Sequence, residues 1–448
     1  MGKLFGTDGV RGIANTELTN DLAYKLGKFG AHVLTDGQHR AKILIGKDTR
    51  VSGDMLESAM IAGILSAGCD VIKVGVLPTP AIAYLVRHFD VDAGVMISAS
   101  HNPVEYNGIK FFNHQGFKLS DGLEAQIEDF ILNDKELPTV FTGKDLGRKT
   151  EVFKAMELYN DYVKQTVDVD FTGMRVAIDC ANGAAYESAY SALKDLGAEV
   201  DAIHNDPDGF NINENCGSTH TNIIGDYVRQ GKYDLGLAFD GDADRCLAVD
   251  HEGRLVDGDK IMAICGQHMM KKGKLNNQTI VATVMSNLGL SIAAKESGID
   301  LLKTKVGDRY VLEEMKKGGH SLGGEQSGHV IFLDHNTTGD GLLTGVQLMA
   351  VVKETGKSLA DLATAMETYP QVLKNAKVAP DKKHAYLDDP VIQEKIQAVE
   401  AHFSGTGRVL IRPSGTEPLV RVMIEGKDQK ELETIAGEVA ALIEERLR

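Results

Sequence analysis

At 448 residues the chain exceeds the length at which one hydrophobic core stops growing, so two to four domains are expected. Apolar residues make up 43% and charged residues 25%, ordinary globular values without a signature of disorder. Lys plus Arg number 48 against 64 Asp plus Glu, a formal charge of -16, which argues against general binding to nucleic acid or anionic membrane and leaves an anionic substrate to a local cluster of positive charge.

The opening Met1-Gly2-Lys3-Leu4-Phe5-Gly6 has no apolar signal region and lacks the hydroxyl residue that a myristoylation signal needs. No apolar run approaches the roughly 18 residues of a membrane span, so a cytoplasmic protein is expected. The five cysteines, Cys69, Cys180, Cys216, Cys246 and Cys265, are scattered and form no CxxC pair. They suggest neither a disulfide framework nor a zinc site.

Residues 43–76 read as strand, polar loop, helix (Glu57 to Ala67), Gly68 and second strand, one βαβ unit. The order returns at 175–203, from Val176-Ala177-Ile178 through Glu187–Leu196 to Ala198-Glu199-Val200. A third copy runs from Ile280-Val281-Ala282 through Leu290–Glu296 to Leu301-Leu302. Each copy leads to another strand with an unusual polar loop at its end, where ligands of open α/β sheets collect: Ser98–Pro103, Asp240–Arg245 and Gly323–Gly328. Beyond about residue 370 the pattern becomes strand (Arg408–Ile411), loop, strand (Leu419–Glu425) and amphipathic helix (Gln429–Leu447). The expected fold is therefore three similar mixed α/β domains, 1–151, 152–253 and 254–369, followed by a small α+β domain, 370–448.

In Ser98-Ala99-Ser100-His101-Asn102-Pro103 the proline ends regular pairing and leaves two hydroxyls and an imidazole on a loop. Read alone, the hexapeptide fits a capping turn as well as a nucleophile. Asp240-Gly241-Asp242-Ala243-Asp244-Arg245 sets three carboxylates on alternate residues, so a tight loop can turn all three toward one hard cation such as Mg2+. It is not an EF-hand, since the sixth and twelfth positions are Arg245 and His251 rather than Gly and Glu. Arg412-Pro413-Ser414-Gly415-Thr416-Glu417-Pro418, with Arg421 following, joins guanidinium, hydroxyls and a flexible glycine, which suits phosphate better than a plain hairpin does. Gly323-Gly324-Glu325-Gln326-Ser327-Gly328-His329 offers Glu325 and Ser327 to a small polar ligand, although a Gly-rich connection reads the same way. Rossmann and Walker A patterns are not present.

These four loops in this order resemble the α-D-phosphohexomutase superfamily, over nearly the whole chain. Gly6-Thr7-Asp8-Gly9-Val10-Arg11-Gly12, the Ser100 loop, Gly307-Asp308-Arg309-Tyr310 and Gly324–His329 are similar to its phosphoglucosamine mutase branch. The resemblance implies four domains around a central cleft and Ser100 as the phosphoserine, which joins Asp240, Asp242 and Asp244 on Mg2+. It makes Arg412, Ser414, Gly415, Thr416 and Arg421 the phosphate clamp and Glu325 and Ser327, with Asp308 and Arg309, the sugar contacts. Lys110 and Arg11 would assist the reacting oxygens, and Arg245 and His101 would help balance the charge. The implied reaction interconverts glucosamine 6-phosphate and glucosamine 1-phosphate through glucosamine 1,6-bisphosphate or a similar sugar bisphosphate. The C-terminal domain is expected to close over substrate, and relatives suggest a homodimer. Competing readings are a phosphoglucomutase or phosphomannomutase, a magnesium-dependent sugar phosphatase, and a non-catalytic regulator on the same scaffold.

Overall fold

A computed structural model describes residues 4–6, 8–37, 40–414 and 417–448. The chain divides into two compact units, Met1–Met285 with Gly298–Ala365, and Ser286–Ser297 with Met366–Arg448.

The first unit holds three sheets of related design. In the first, Lys42–Lys47 lies between Asp70–Val76 and Ala93–Ile97 and runs parallel to both. Tyr106–Asn113 and Val10–Ile13 add antiparallel strands beyond Ala93–Ile97. In the second, Arg175–Asp179 lies between Glu199–Ile203 and Leu235–Phe239, parallel to both. In the third, Thr279–Thr283 lies between Asp300–Thr304 and Leu322–Gly324, again parallel to both. All three expected βαβ units are therefore present, and their central strands are apolar because helices or neighbouring segments cover both faces.

Two expected boundaries move. The first crossover helix is Ser52–Ser66, starting five residues before the expected Glu57, because its first turn takes Ser52, Gly53 and Asp54 without a side-chain cap. The strand Leu322–Gly324 absorbs both glycines expected in the loop, pairs antiparallel with Val330–Phe332, and leaves residues 325–329 as the turn.

In each sheet the chain leaves the central strand to one side and returns on the other, creating a switch point between two parallel strand ends. The Ser98–Pro103, Asp240–Arg245 and Glu325–His329 loops all begin at such an end. Topology alone thus selects the three loops for chemistry.

The second unit is a three-stranded antiparallel sheet ordered Gln371–Lys377, Leu419–Glu425, Arg408–Pro413. Helices Pro390–His402 and Gln429–Leu447 share its core through Ile392, Ile396, Leu432, Ala436, Val439 and Ile443. Asp389 and Asp428 cap these helices with their carboxylates, each accepting from two backbone N–H groups.

Candidate active site

Ser100 occupies a left-handed backbone conformation (φ 54°), which costs a non-glycine residue about 1–2 kcal/mol and persists only where surroundings enforce it. Arg50 enforces it. Its guanidinium is fully buried and donates to the carbonyls of Ser100 (2.9 Å), Asn102 (2.8 Å), Pro103 (2.5 Å) and Tyr106 (3.1 Å) and to Asp48 Oδ2 (2.9 Å). Asn213 Nδ2 donates to the Ser100 and Asn102 carbonyls from the loop that follows strand Glu199–Ile203.

The two hydroxyls expected to be displayed together have separate fates. Ser98 is wholly buried and donates to Asp48 Oδ2 (2.6 Å) while accepting from the Ser100 backbone N–H (2.9 Å), so it shapes the loop. Ser100 is 2% exposed and donates through Oγ to Asp240 Oδ2 at 2.6 Å. The serine and acidic loops therefore meet.

Asp240, Asp242 and Asp244 are buried, and one oxygen from each lies within 4.8 Å of the others. Ala243 takes a left-handed conformation and its N–H donates to the Asp240 carbonyl (3.0 Å), closing the turn that gathers them. Three carboxylates this close repel unless cations intervene. Lys110 Nζ supplies one, 2.7 Å from Asp242, 3.7 Å from Asp244 and 3.0 Å from Asp8. Burial opposes its charge, but Asp242, Asp8 and Asp244 hold the ammonium above its usual range. Burial and the charges of Asp244 and Asp242 push the Asp240 carboxyl well up. For Asp244 burial works the same way, yet Lys110, His329 and Arg245 hold it well below the carboxylate range.

Compensation is incomplete, because Asp242 Oδ1 and Asp244 Oδ1 are buried without a hydrogen-bond partner. An all-oxygen donor set with orphaned carboxylate oxygens fits a hard divalent cation such as Mg2+. Thr79 Oγ donates to Asp242 Oδ2 at 2.5 Å and fixes that side chain from outside.

The expected basic residues surround this centre. Arg245 donates its backbone N–H to Asp240 Oδ1 (3.2 Å), and its guanidinium lies 3.9 Å from Asp244. Arg11 pairs with Asp8, leaving its Nε buried and unpartnered. His101 Nδ1 lies 3.4 Å from both Ser100 Oγ and Arg245 Nη1. Burial, then Arg245 and Arg11, push its imidazole below the usual range.

Residues 308 and 309 are otherwise engaged. Asp308 accepts from Lys118 Nζ (2.5 Å), and Arg309 donates to Glu124 (3.0 Å), to Asp121 and to the Leu119 carbonyl (3.1 Å). Both tie the third sheet's helix Asp308–Gly318 to the first sheet's segment while lining the cavities beside it. Glu325 and Ser327 are half-buried on their turn, with Glu325 Oε1 accepting from the Gly307 N–H at 3.2 Å.

In the second unit Arg412 and Arg421 stand directly opposite across two strands, an arrangement that is unfavourable unless an anion is held. Burial and the Arg421 charge push the Arg412 guanidinium down. Among the described residues Arg412 has no acidic partner, whereas Arg421 pairs through Nη2 with Glu417 (3.4 Å) and keeps its Nε buried without a hydrogen-bond partner. Ser414 is buried and accepts the Glu417 N–H through its hydroxyl (3.3 Å). Gly415 and Thr416 lie outside the described residues.

Sequence reasoning did not assign Asp48, Arg50, Asn213, Lys118, Asp8 or His329. The last two lie inside quoted motifs, and His329 sits between Asp244 (3.5 Å) and Asp308 (3.6 Å).

Four segments match phosphoglucomutase/phosphomannomutase domains: alpha/beta/alpha domains I, II and III at residues 2–138, 157–253 and 257–369, and the C-terminal domain at 373–442. The chain therefore belongs to the phosphoglucomutase/phosphomannomutase family, within the α-D-phosphohexomutases.

Among individual relatives, proteins named phosphoglucosamine mutase from Clostridium novyi and Alkaliphilus oremlandii are each 61% identical. The matches cover 100% of this chain with 99% and 100% of theirs. A phosphoglucomutase/phosphomannomutase family protein from Burkholderia thailandensis shares the fold, with TM-score 0.81, 23% identity and coverage of 99% and 98%. So does the N-acetylphosphoglucosamine mutase of Aspergillus fumigatus, solved with GlcNAc-6P and magnesium, with TM-score 0.69, 18% identity and coverage of 99% and 96%.

Proposed function

We propose that the chain is a phosphoglucosamine mutase that interconverts glucosamine 6-phosphate and glucosamine 1-phosphate through a phosphorylated Ser100 and glucosamine 1,6-bisphosphate. The observation that carries this reading is the 2.6 Å bond from Ser100 Oγ to Asp240 within the buried aspartate cluster. A serine held in a strained conformation, beside carboxylates with unpartnered oxygens, is an economical arrangement for a phosphoryl carrier and a poor one for a structural turn.

In the forward half-reaction the Ser100 O–P bond breaks and a bond forms from phosphorus to the free O1 hydroxyl of the substrate, whose proton leaves to a nearby base. The bisphosphate then turns around, the O6 phosphoryl group passes to Ser100 Oγ, and O6 takes up a proton. The enzyme regains its phosphate with none released.

Asp240, Asp242, Asp244 and a phosphorylated Ser100 would hold Mg2+, which supplies charge neutralisation at the transferring phosphoryl group when bound. Lys110, Arg11 and Arg245 stabilise the oxygens that gain negative charge, the main protein contribution to a loose in-line transfer. Arg50 and Asn213 position the loop. Glu325 and Ser327 are assigned to sugar hydroxyls, and Arg412, Ser414, Gly415, Thr416 and Arg421 to the phosphate that is not transferring. Asp308 and Arg309 are assigned to the substrate as well, their ion pairs with Lys118, Glu124 and Asp121 holding them in place.

No helix among the described residues is long and apolar enough to cross a membrane. A cytoplasmic homodimer is the proposed working form, and light scattering of the purified chain checks the assembly.

Parallel assays of glucosamine, glucose and mannose phosphates, with inorganic phosphate followed in the same tubes, test the reading. Preferential isomerisation of the amino sugar without phosphate release supports it. Stoichiometric phosphate release refutes it in favour of a phosphatase, and preference for glucose or mannose refutes the amino-sugar assignment.

A further inference from the structure

Among the described residues a second group brings metal-ligand atoms within 4.8 Å of one another: Asp179, His204 and Cys216. They come from the C-terminal ends of strands Arg175–Asp179 and Glu199–Ile203 and from the residue before the turn Gly217–Thr219. Asp179 and Cys216 are fully buried, whereas the His204 side chain keeps 29% of its surface exposed and leaves a way in.

The bonding within the group is incomplete. Asp179 Oδ1 accepts from the Ala181 N–H at 2.9 Å, but Oδ2 is left over. Oδ2 lies 3.0 Å from His204 Nδ1, yet neither of these buried atoms has a hydrogen bond of acceptable geometry. The two form an ion pair in which Asp179 strengthens the imidazole's hold on its proton, so a metal bound beside the buried Cys216 thiol would displace that proton.

The donor set names the class of partner. Magnesium takes oxygens, whereas a carboxylate, an imidazole and a thiolate together suit a borderline-soft divalent ion such as zinc. Bonds of about 2.0–2.3 Å in a tetrahedral site put ligand atoms roughly 3.3–3.8 Å apart, under the 4.8 Å limit of this group, so Asp179 and His204, at 3.0 Å, would part slightly on binding.

We propose that Asp179, His204 and Cys216 form a second metal site that binds one zinc-class divalent ion, distinct from the aspartate cluster at Ser100, with water as fourth ligand. On binding, Cys216 gives up its thiol proton to solvent and His204 ligates as neutral imidazole, so bonds form from the metal to oxygen, nitrogen and sulfur without redox change. The site ties together segments that support the serine loop. Asn182 N–H donates to the His204 carbonyl (2.7 Å), Thr49 Oγ donates to the Asn182 carbonyl (2.6 Å), and Asn213, whose N–H donates to the Ala181 carbonyl (2.9 Å), holds the Ser100 carbonyl. Its role is structural.

The test uses the full chain stripped of metal, supplied with excess Mg2+, and titrated with Co2+ and then Zn2+. One equivalent of Co2+ should give thiolate-to-cobalt charge-transfer absorption that Zn2+ abolishes and Mg2+ leaves alone. Cys216→Ser should remove the band, and His204→Gln should weaken Zn2+ binding at least tenfold. Absence of the band in the natural chain overturns the proposal, as does its survival in Cys216→Ser or unchanged Zn2+ affinity in a folded His204→Gln.

Discussion

Replacing Lys118 by methionine removes a largely buried cation from between two partly buried carboxylates. Lys118 Nζ lies 2.5 Å from Asp8 Oδ1 and 2.5 Å from Asp308 Oδ2, with its side chain 11% exposed. Asp8 keeps Lys110 and Arg11 as neighbours after the change, whereas the one cationic group left in ion-pair range of Asp308 among the described residues is His329 at 3.6 Å. Breaking a buried ion pair by deleting one partner costs about 3–5 kcal/mol, because the remaining charge stays buried. At about 2 °C per kcal/mol for a large domain, the melting temperature should fall by roughly 6–10 °C at neutral pH.

The pH dependence identifies the cause. Burial opposes ionisation of both carboxyls, yet Lys118 and its neighbours hold Asp8 well below, and Asp308 below, their ordinary value. Carboxyls depressed in the folded state stabilise it above the unfolded carboxylate range, near pH 4, and lose that contribution as pH falls through the folded values. Lys118→Met raises those folded values, so its deficit should be largest at neutral pH and shrink below about pH 4. Calorimetry or urea melts from pH 7 to 3.5 measure this, with Lys118→Arg expected to recover much of the loss. A deficit under about 1 kcal/mol, or one that does not change with pH, would refute the electrostatic reasoning and leave packing as the cause.

A β-carbon at Gly241 would lie 2.5 Å from the Ser100 carbonyl oxygen and 2.7 Å from Asn213 Nδ2. Gly241→Ala should therefore push the serine loop off the aspartates and lower kcat by about 10²-fold while circular dichroism stays native, the size expected for a shift near 1 Å. Arg50→Lys cannot reach five acceptors with three N–H donors and should cost about 3 kcal/mol or more in urea melts, with a parallel loss of turnover. Dialysis against a chelator should abolish turnover and added Mg2+ should restore it, because Asp242 and Asp244 would otherwise keep unpartnered buried oxygens.

The three βαβ units were legible because long apolar strands separated by helical periodicity leave few alternatives, and the acidic loop because alternate carboxylates have a local reading. The strand Gln371–Lys377 was not, since Leu373 points outward beside Lys374 and breaks the alternation. Arg50 looks like an ordinary loop arginine, and its four carbonyl acceptors lie 50 to 56 positions away. Lys118 finds Asp8 and Asp308 at separations of 110 and 190 residues, where sequence leaves no mark. Asp179, His204 and Cys216 likewise have no motif spacing, and the scattered cysteines read as inert. Ser100 was ambiguous within its own hexapeptide, and its strained backbone and bond to Asp240 depend on a loop 140 residues away.

Mass spectrometry of the intact protein and its peptides, paired with assays of glucosamine 6-phosphate turnover, tests the central claim most directly. The account predicts one phosphate, located on Ser100, in the active enzyme, and mutase activity lost in Ser100→Ala. Activity surviving in folded Ser100→Ala, or active enzyme phosphorylated only elsewhere, would contradict it.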